Sequence, residues 1–236
     1  MKHLIIVKTG QTYPGIKTDH GDFEDWFIAA LSHPSVTLTV VNPVLGEALP
    51  HHGDGIVLTG SPAMVSDREG WSELTANWIK AALALEIPIL GVCYGHQLLA
   101  HALGGLVDYH PAGREIGTLQ VRTTDAAQAD TLFQGLPTRF AAHLTHRQSV
   151  LSLPEGATRL AYSEHEPNQA FRVGPHAWGV QFHPEFSSDV MSAYIRQLAP
   201  ALENEGVSTT HLLESIENTP DARALLERFA RLIAER

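Results

Sequence analysis

At 236 residues, with 44% hydrophobic and 18% charged side chains, the chain has the composition of an ordinary globular protein with a substantial core. Its 16 Lys and Arg against 26 Asp and Glu give a formal net charge of −10, and no long Lys/Arg cluster occurs, which argues against nucleic acid or an anionic membrane as a partner. A single cysteine excludes an internal disulfide and a cysteine-rich zinc site, and a lone thiol fits a reducing compartment, so the cytoplasm is the expected location.

The opening MKHLIIVKTG holds an apolar run too short for a signal peptide or a membrane span, and LIIV (4–7) reads as a first buried strand. FEDWFIAAL (23–31) has helical spacing, and VTLTVV (36–41) is β-branched and strand-like. PHHGDG, with His51 and His52, reads as a solvated loop. GIVLTG (55–60) is another strand ending in a Gly-Ser-Pro turn, and SELTANWIKAALAL (72–85) is a helix. IPILGVC (87–93) is an apolar strand that runs into the helix-like YGHQLLAHAL (94–103), where His101 is read as packed. This rhythm predicts an α/β fold: a mostly parallel central sheet with helices on both faces.

From about residue 115 the segments GTLQVRTT, TRFAAHLTH, TRLAYS, NQAFRVG and AWGVQF are strand-like and divided by short turns, which predicts antiparallel strand additions. Beyond His183 the pattern is helical to residue 236, in two or three helices, the last with Thr219 as N-cap and Pro220 at its first position. Ala224, Leu225, Phe229, Leu232 and Ile233 give this last helix one apolar face. The natural division is a domain over residues 1–190 and a C-terminal helical extension over 191–236 packed on it. Fourteen histidines suggest a metal, but no H-x-x-E-H or H-E-x-x-H spacing occurs, so neither metal nor cofactor is expected.

The sharpest local signal is GVCYGHQ (91–97): an apolar strand, a small residue, a nucleophile, any residue and a Gly before a helix, the build of a nucleophile elbow. Such a turn presents Cys93 at the carboxyl end of the sheet and at a helix N-terminus, where free N–H groups favour a thiolate. A thiol acting on an amide needs a base held by a third group. WGVQFHPEFS (178–187) supplies His183 at a strand end and Glu185 two residues on, on the same side if the chain stays extended.

Together these segments closely resemble the class I, triad-type glutamine amidotransferases: GVCYGHQ resembles that family's elbow, GVQFHPE its His-Pro-Glu signature, and TGSP (59–62) its oxyanion loop. The likeness spans roughly residues 3–190 and is greatest to the amidotransferase domain of GMP synthetase, whose corresponding pieces REIG (114–117) and HLTHRQSV (143–150) resemble. It implies Cys93 as nucleophile, His183 as base and then acid, and Glu185 as its orienter. It further implies an oxyanion hole at Gly60, Ser61 and Tyr94, with N–H groups of Ser61 and Tyr94 as donors, and contacts to the substrate from Gln97 and from the main chain around His146. Two positions depart from the family pattern. Ser61 stands where Gly is frequent, which a negative φ would tolerate, and Arg147-Gln148 replaces the Gly-Asp of GMP synthetase.

No P-loop or dinucleotide fingerprint occurs, so the chain is expected to be free-standing and unable to activate an acceptor with ATP. The expected function is hydrolysis of the glutamine side-chain amide through a γ-glutamyl thioester, with ammonia released to a separate acceptor or synthase subunit. The alternative is a γ-glutamyl peptidase acting on γ-glutamyl amides or peptides. A non-catalytic regulatory subunit is disfavoured by the complete triad.

Overall fold

Wholly apolar strands set the frame, because a strand covered on both faces has no reason to alternate. The computed structural model describes residues 1–51 and 53–236, so the histidine at 52, read as part of a solvated loop, lies outside the described residues. Strands β1 (Lys2–Val7), β2 (Val36–Val41), β3 (Gly55–Leu58) and β4 (Ile89–Val92) are followed by β5 (Leu106–Tyr109), β6 (Glu115–Thr123) and β7 (Arg139–His146). Then come β8 (Gln148–Ser152), β9 (Ala157–Tyr162), β10 (Ala170–Val173) and β11 (Ala177–Val180). Every residue of β3, β4 and β11 is buried.

Nine of these strands form one sheet in the order β2-β1-β3-β4-β11-β10-β9-β6-β7. The half from β2 to β11 is parallel, and the half from β11 through β10, β9, β6 and β7 is antiparallel, as the change of texture near residue 115 predicts. Helices α1 (Pro14–His20) and α2 (Phe23–Leu31) precede α3 (Gly70–Ala84) and α4 (Tyr94–Ala102), and α5 (Ser188–Asn204), α6 (Thr209–Glu214) and α7 (Pro220–Ala234) follow the sheet. Side chains of α2, α5 and α7 share one core cluster, and those of α3 and α4 share another on the opposite face. The expected two-sided cover is therefore present.

Three details differ from the sequence reading. α1 buries only Ile16, so it lacks the apolar periodicity that would reveal it. β5 and β8 pair apart from the main sheet, and three of the four β5 side chains are exposed. Thr219 occupies the N-cap position of α7, but its side chain makes no capping hydrogen bond.

α5 begins at Ser188 and so straddles residue 190, where the sequence divides the chain. In α7 the buried stripe is Ala222, Leu225, Leu226, Phe229, Ala230 and Ile233, rotated slightly from the expected face; Ala224 and Leu232 sit half-buried at its margin. Ile233 lies so close over β3 that a Cβ on Gly55 would meet its Cδ1 at 2.5 Å. Phe229 is fully buried and stands edge-on to Trp178 of β11, with ring centroids 6.3 Å apart. Truncation to Phe229→Ala should destabilise the chain by about 3–5 kcal/mol, measured by urea unfolding. A change below about 1 kcal/mol would show that α7 is not a core element.

Candidate active site

Cys93 heads α4 with φ 51° and ψ −102°, a conformation that non-glycine residues rarely adopt. The turn is tight enough to require both flanking glycines. A Cβ on Gly91 would lie 2.3 Å from the Gly95 carbonyl oxygen, and one on Gly95 would lie 2.5 Å from Leu58. The Cys93 N–H donates to Val180 O at 2.9 Å and the Gly95 N–H to Thr59 O at 3.1 Å, so the elbow is bonded to both neighbouring strands.

His183 reaches the thiol by a route the sequence reading did not anticipate. β11 ends at Val180; the Gln181 N–H then donates to Gln169 O and the His183 N–H to His143 O, both at 2.8 Å. Pro184 and Glu185 form a turn rather than continuing an extended strand, and this turn folds the carboxylate back onto the ring. Glu185 Oε1 accepts from His183 Nδ1 at 2.7 Å, with both residues buried. His183 Nε2 is buried with no protein partner, which leaves it for the thiol side. Burial opposes a charged imidazole, but the Glu185 carboxylate and the neighbouring Cys93 outweigh it and raise His183 above its ordinary value. Phe186 stacks on one face of the ring at 4.1 Å and Phe23 lies over the other at 6.5 Å. Behind it, His143 is pushed down to about 4, by burial first and by His183 second, and so stays neutral.

The other expected residues converge on the same point. Among the described residues neither the Ser61 nor the Tyr94 N–H has a protein acceptor, and Ser61 is absent from the positive-φ residues, so a side chain is tolerated there. Gly60 is pressed against the base: a Cβ would meet His183 Cε1 at 3.0 Å. The Tyr94 side chain turns away, bonding Ser72 Oγ at 2.6 Å and stacking on Trp71, and burial pushes its phenol up to about 12. Gln97 lines the cavity, but its amide nitrogen is already spent on Gln148 O at 2.7 Å and Gln181 Oε1 at 3.0 Å. His146 also borders the cavity, with its ring nitrogens held by Glu115 Oε2 at 2.7 Å and Gln148 O at 2.8 Å.

These groups border a cavity of about 530 Å³ that includes Cys93, Tyr94, Ser61 and His183 in its lining. Its wall also holds residues that the sequence reading missed. Tyr13, Tyr194 and Leu198 carry no sequence signal for a site, and the last two fall in the stretch expected to be a packed helical extension. Thr9 is a second omission: its hydroxyl lies within hydrogen-bond distance of the Thr59 and Gly60 carbonyls, bracing the loop that carries Ser61.

The strand–Cys–helix elbow, the buried histidine–carboxylate pair fed from the adjacent strand and the two free N–H groups thus lie around one cavity. Residues 18–199 match the family model of the class-I glutamine amidotransferases, and the chain belongs to that family. It is 35% identical over 179 residues to the glutamine-hydrolyzing GMP synthase of Aeropyrum pernix, covering 73% of this chain and 33% of that protein. It is 36% identical over 155 residues to the GMP synthase of Thermosipho africanus, covering 63% of this chain and 28% of the relative. The chain thus spans about a third of the length of these curated relatives. A crystal structure of a glutamine amidotransferase from Thermotoga maritima superposes with a TM-score of 0.78 at 26% identity, covering 100% of this chain and 99% of that one. One of a glutamine amidotransferase from Methylobacillus flagellatus gives 0.73 at 24% identity, over 100% and 93% of the two chains, and supports the fold. Among the described residues no helix is long and apolar enough to cross a membrane.

Because the Glu185 carboxylate is the first of the groups that outweigh burial at His183, Glu185→Gln should lower the imidazole pKa and move its NMR titration to lower pH. An unchanged titration would show that the carboxylate does not act on the ring.

Proposed function

We propose that this chain hydrolyses the side-chain amide of glutamine by a Cys93-His183-Glu185 triad through a γ-glutamyl thioester. The observation that carries the reading is the buried His183–Glu185 bond, whose unpartnered Nε2 faces the side of the strained Cys93 elbow. His183 takes the Cys93 thiol proton as the sulfur attacks the amide carbon, and negative charge gathers on the former carbonyl oxygen. The Ser61 and Tyr94 N–H groups receive it, each contributing about 3 kcal/mol to lowering the barrier. The tetrahedral species collapses as imidazolium hands its proton to the nitrogen and ammonia leaves. His183, now neutral, takes a proton from water, which attacks the thioester and frees glutamate and the thiol. Glu185 holds the tautomer that points Nε2 at the reaction and stabilises the imidazolium between steps.

We further propose that ammonia passes to a separate synthase subunit, a reading supported by the GMP synthases among the relatives and by the chain's third-length match to them. Arg114, at the cavity rim, is bonded to Glu205 just beyond α5 at 2.9 Å, and Arg147 is exposed at the same rim. Both lie where a docked partner would meet the substrate channel.

A glutamine-mimicking electrophile should place one covalent label on Cys93, and Cys93→Ala should abolish labelling and turnover together. Because the sequence holds a single cysteine, persistent labelling of Cys93→Ala would remove the thiol from the mechanism. Glu185→Gln should lower kcat by roughly 10²-fold or more while changing KM little, and the His183→Ala/Glu185→Gln double variant should be no worse than the poorer single variant. Losses that multiply in full would mean the two residues do not act as a unit.

A further inference from the structure

The cavity is larger than its proposed substrate needs. Glutamine has only ten non-hydrogen atoms, whereas a volume of about 530 Å³ falls in the range that receives drug-sized molecules. Its lining is also divided by chemistry. Ser61, Gln97, Arg114, His146, Arg147 and Gln148 supply polar groups, while Tyr13, Pro14, Phe23, Tyr194 and Leu198 present rings and aliphatic surface.

The apolar part adjoins the base. Phe23 lies over one face of His183, Phe186 stacks on the other, and Tyr194 stacks on Phe186 with centroids 4.9 Å apart. Tyr13 meets Tyr194 edge-on at 5.7 Å, and Leu198 follows Tyr194 by one helical turn of α5, so their side chains sit side by side. In amide hydrolysis the general acid delivers its proton to the departing nitrogen, so whatever that nitrogen carries must lie beside His183.

The buried polar groups of Tyr194 and Thr12 in this compartment are already satisfied within the protein. The Tyr194 hydroxyl and Thr12 Oγ1 are 2.6 Å apart, and the Thr12 N–H donates to the buried Asp22 carboxylate at 2.8 Å. Burial raises the Tyr194 phenol, which therefore stays neutral and offers only its ring. Asp22 is itself bonded to Lys8 at 2.9 Å and caps α2, which fixes the loop carrying Thr12 and Tyr13. The compartment is therefore preformed and apolar. Ammonia, small and strongly hydrated, gains nothing from such a surface.

We propose that this compartment receives the leaving group, and that the chain acts on γ-glutamyl amides of apolar, preferably aromatic, amines. The proposal rests on the triad reading above and extends it. The C–S bond forms first, the C–N bond then breaks as His183 supplies the proton that lets the amine leave, and water replaces sulfur on the acyl carbon to give glutamate and the free thiol. No oxidant, metal or nucleotide enters.

The test compares kcat/KM of the isolated full chain for glutamine, γ-glutamyl methylamide and γ-glutamyl benzylamide, two amides whose leaving amines differ mainly in apolar bulk. The benzylamide should exceed the methylamide by on the order of tenfold or more, as burial of one ring provides. Leu198→Ala, at a half-buried position, should reduce that ratio several-fold. Labelling of Cys93 by the glutamine-mimicking electrophile together with equal rates on both amides, or with turnover of glutamine alone, would overturn the leaving-group assignment and leave the triad standing. A benzylamide preference untouched by Leu198→Ala would overturn the location. Failure of both labelling and all turnover would overturn the triad reading and this one with it.

Discussion

Everything at this site depends on one steric fact, that the chain turns at Cys93 with a positive φ in a space where no Cβ fits on either side. Holding a non-glycine residue there costs of order 1–3 kcal/mol, and the surrounding structure must over-determine it. It does so through backbone bonds from Cys93 to Val180 and from Gly95 to Thr59. The proposed nucleophile, base and oxyanion donors therefore leave the carboxyl ends of three adjacent strands, β4, β11 and β3, whose pairing is parallel and in register. A slip of one residue in either pairing would turn a side chain to the wrong face and separate the triad. Precision in the site is inherited from the sheet.

The base is shaped by a second set of constraints. His183 is buried between aromatic faces and bonded to a buried carboxylate, so charge on it is opposed by burial and sustained by Glu185 and Cys93. In that dry setting a partner charge acts strongly, and loss of either neighbour shifts the balance toward burial. The neutral His143 adds no second positive charge beside it. The ring stack continues through Phe186 to Tyr194, which ties the orientation of the base to the seating of α5.

Much of this was legible in the sequence, and the reasons are local. β2 and α2 were predicted to the residue because six β-branched or apolar positions and a clean helical period admit few alternatives. The elbow was legible because Gly91 and Gly95 are demanded by sterics within five residues of chain. Glu185 was paired with His183 by the right spacing and for the wrong local reason, since a turn rather than an extended strand brings them together. What escaped is tertiary. Tyr194 and Leu198 read as ordinary helix residues, and nothing near them in sequence says that a cavity lies opposite. The Glu115–His146 bond joins residues far apart in the chain, and only the pairing of β6 with β7 sets them face to face.

The seating of Ile233 over Gly55 has a consequence for synthesis. α7 closes the core over elements made much earlier, covering one face of the early strands with Leu225, Leu226, Phe229 and Ile233. While the ribosome is still adding the segments between them, that face has no native cover and is open to collapse or aggregation. The long sequence separation of these contacts makes the closing step slow compared with local helix formation. A nascent chain that already carries Cys93, His183 and Glu185 still lacks this last cover until residues 220–234 have emerged.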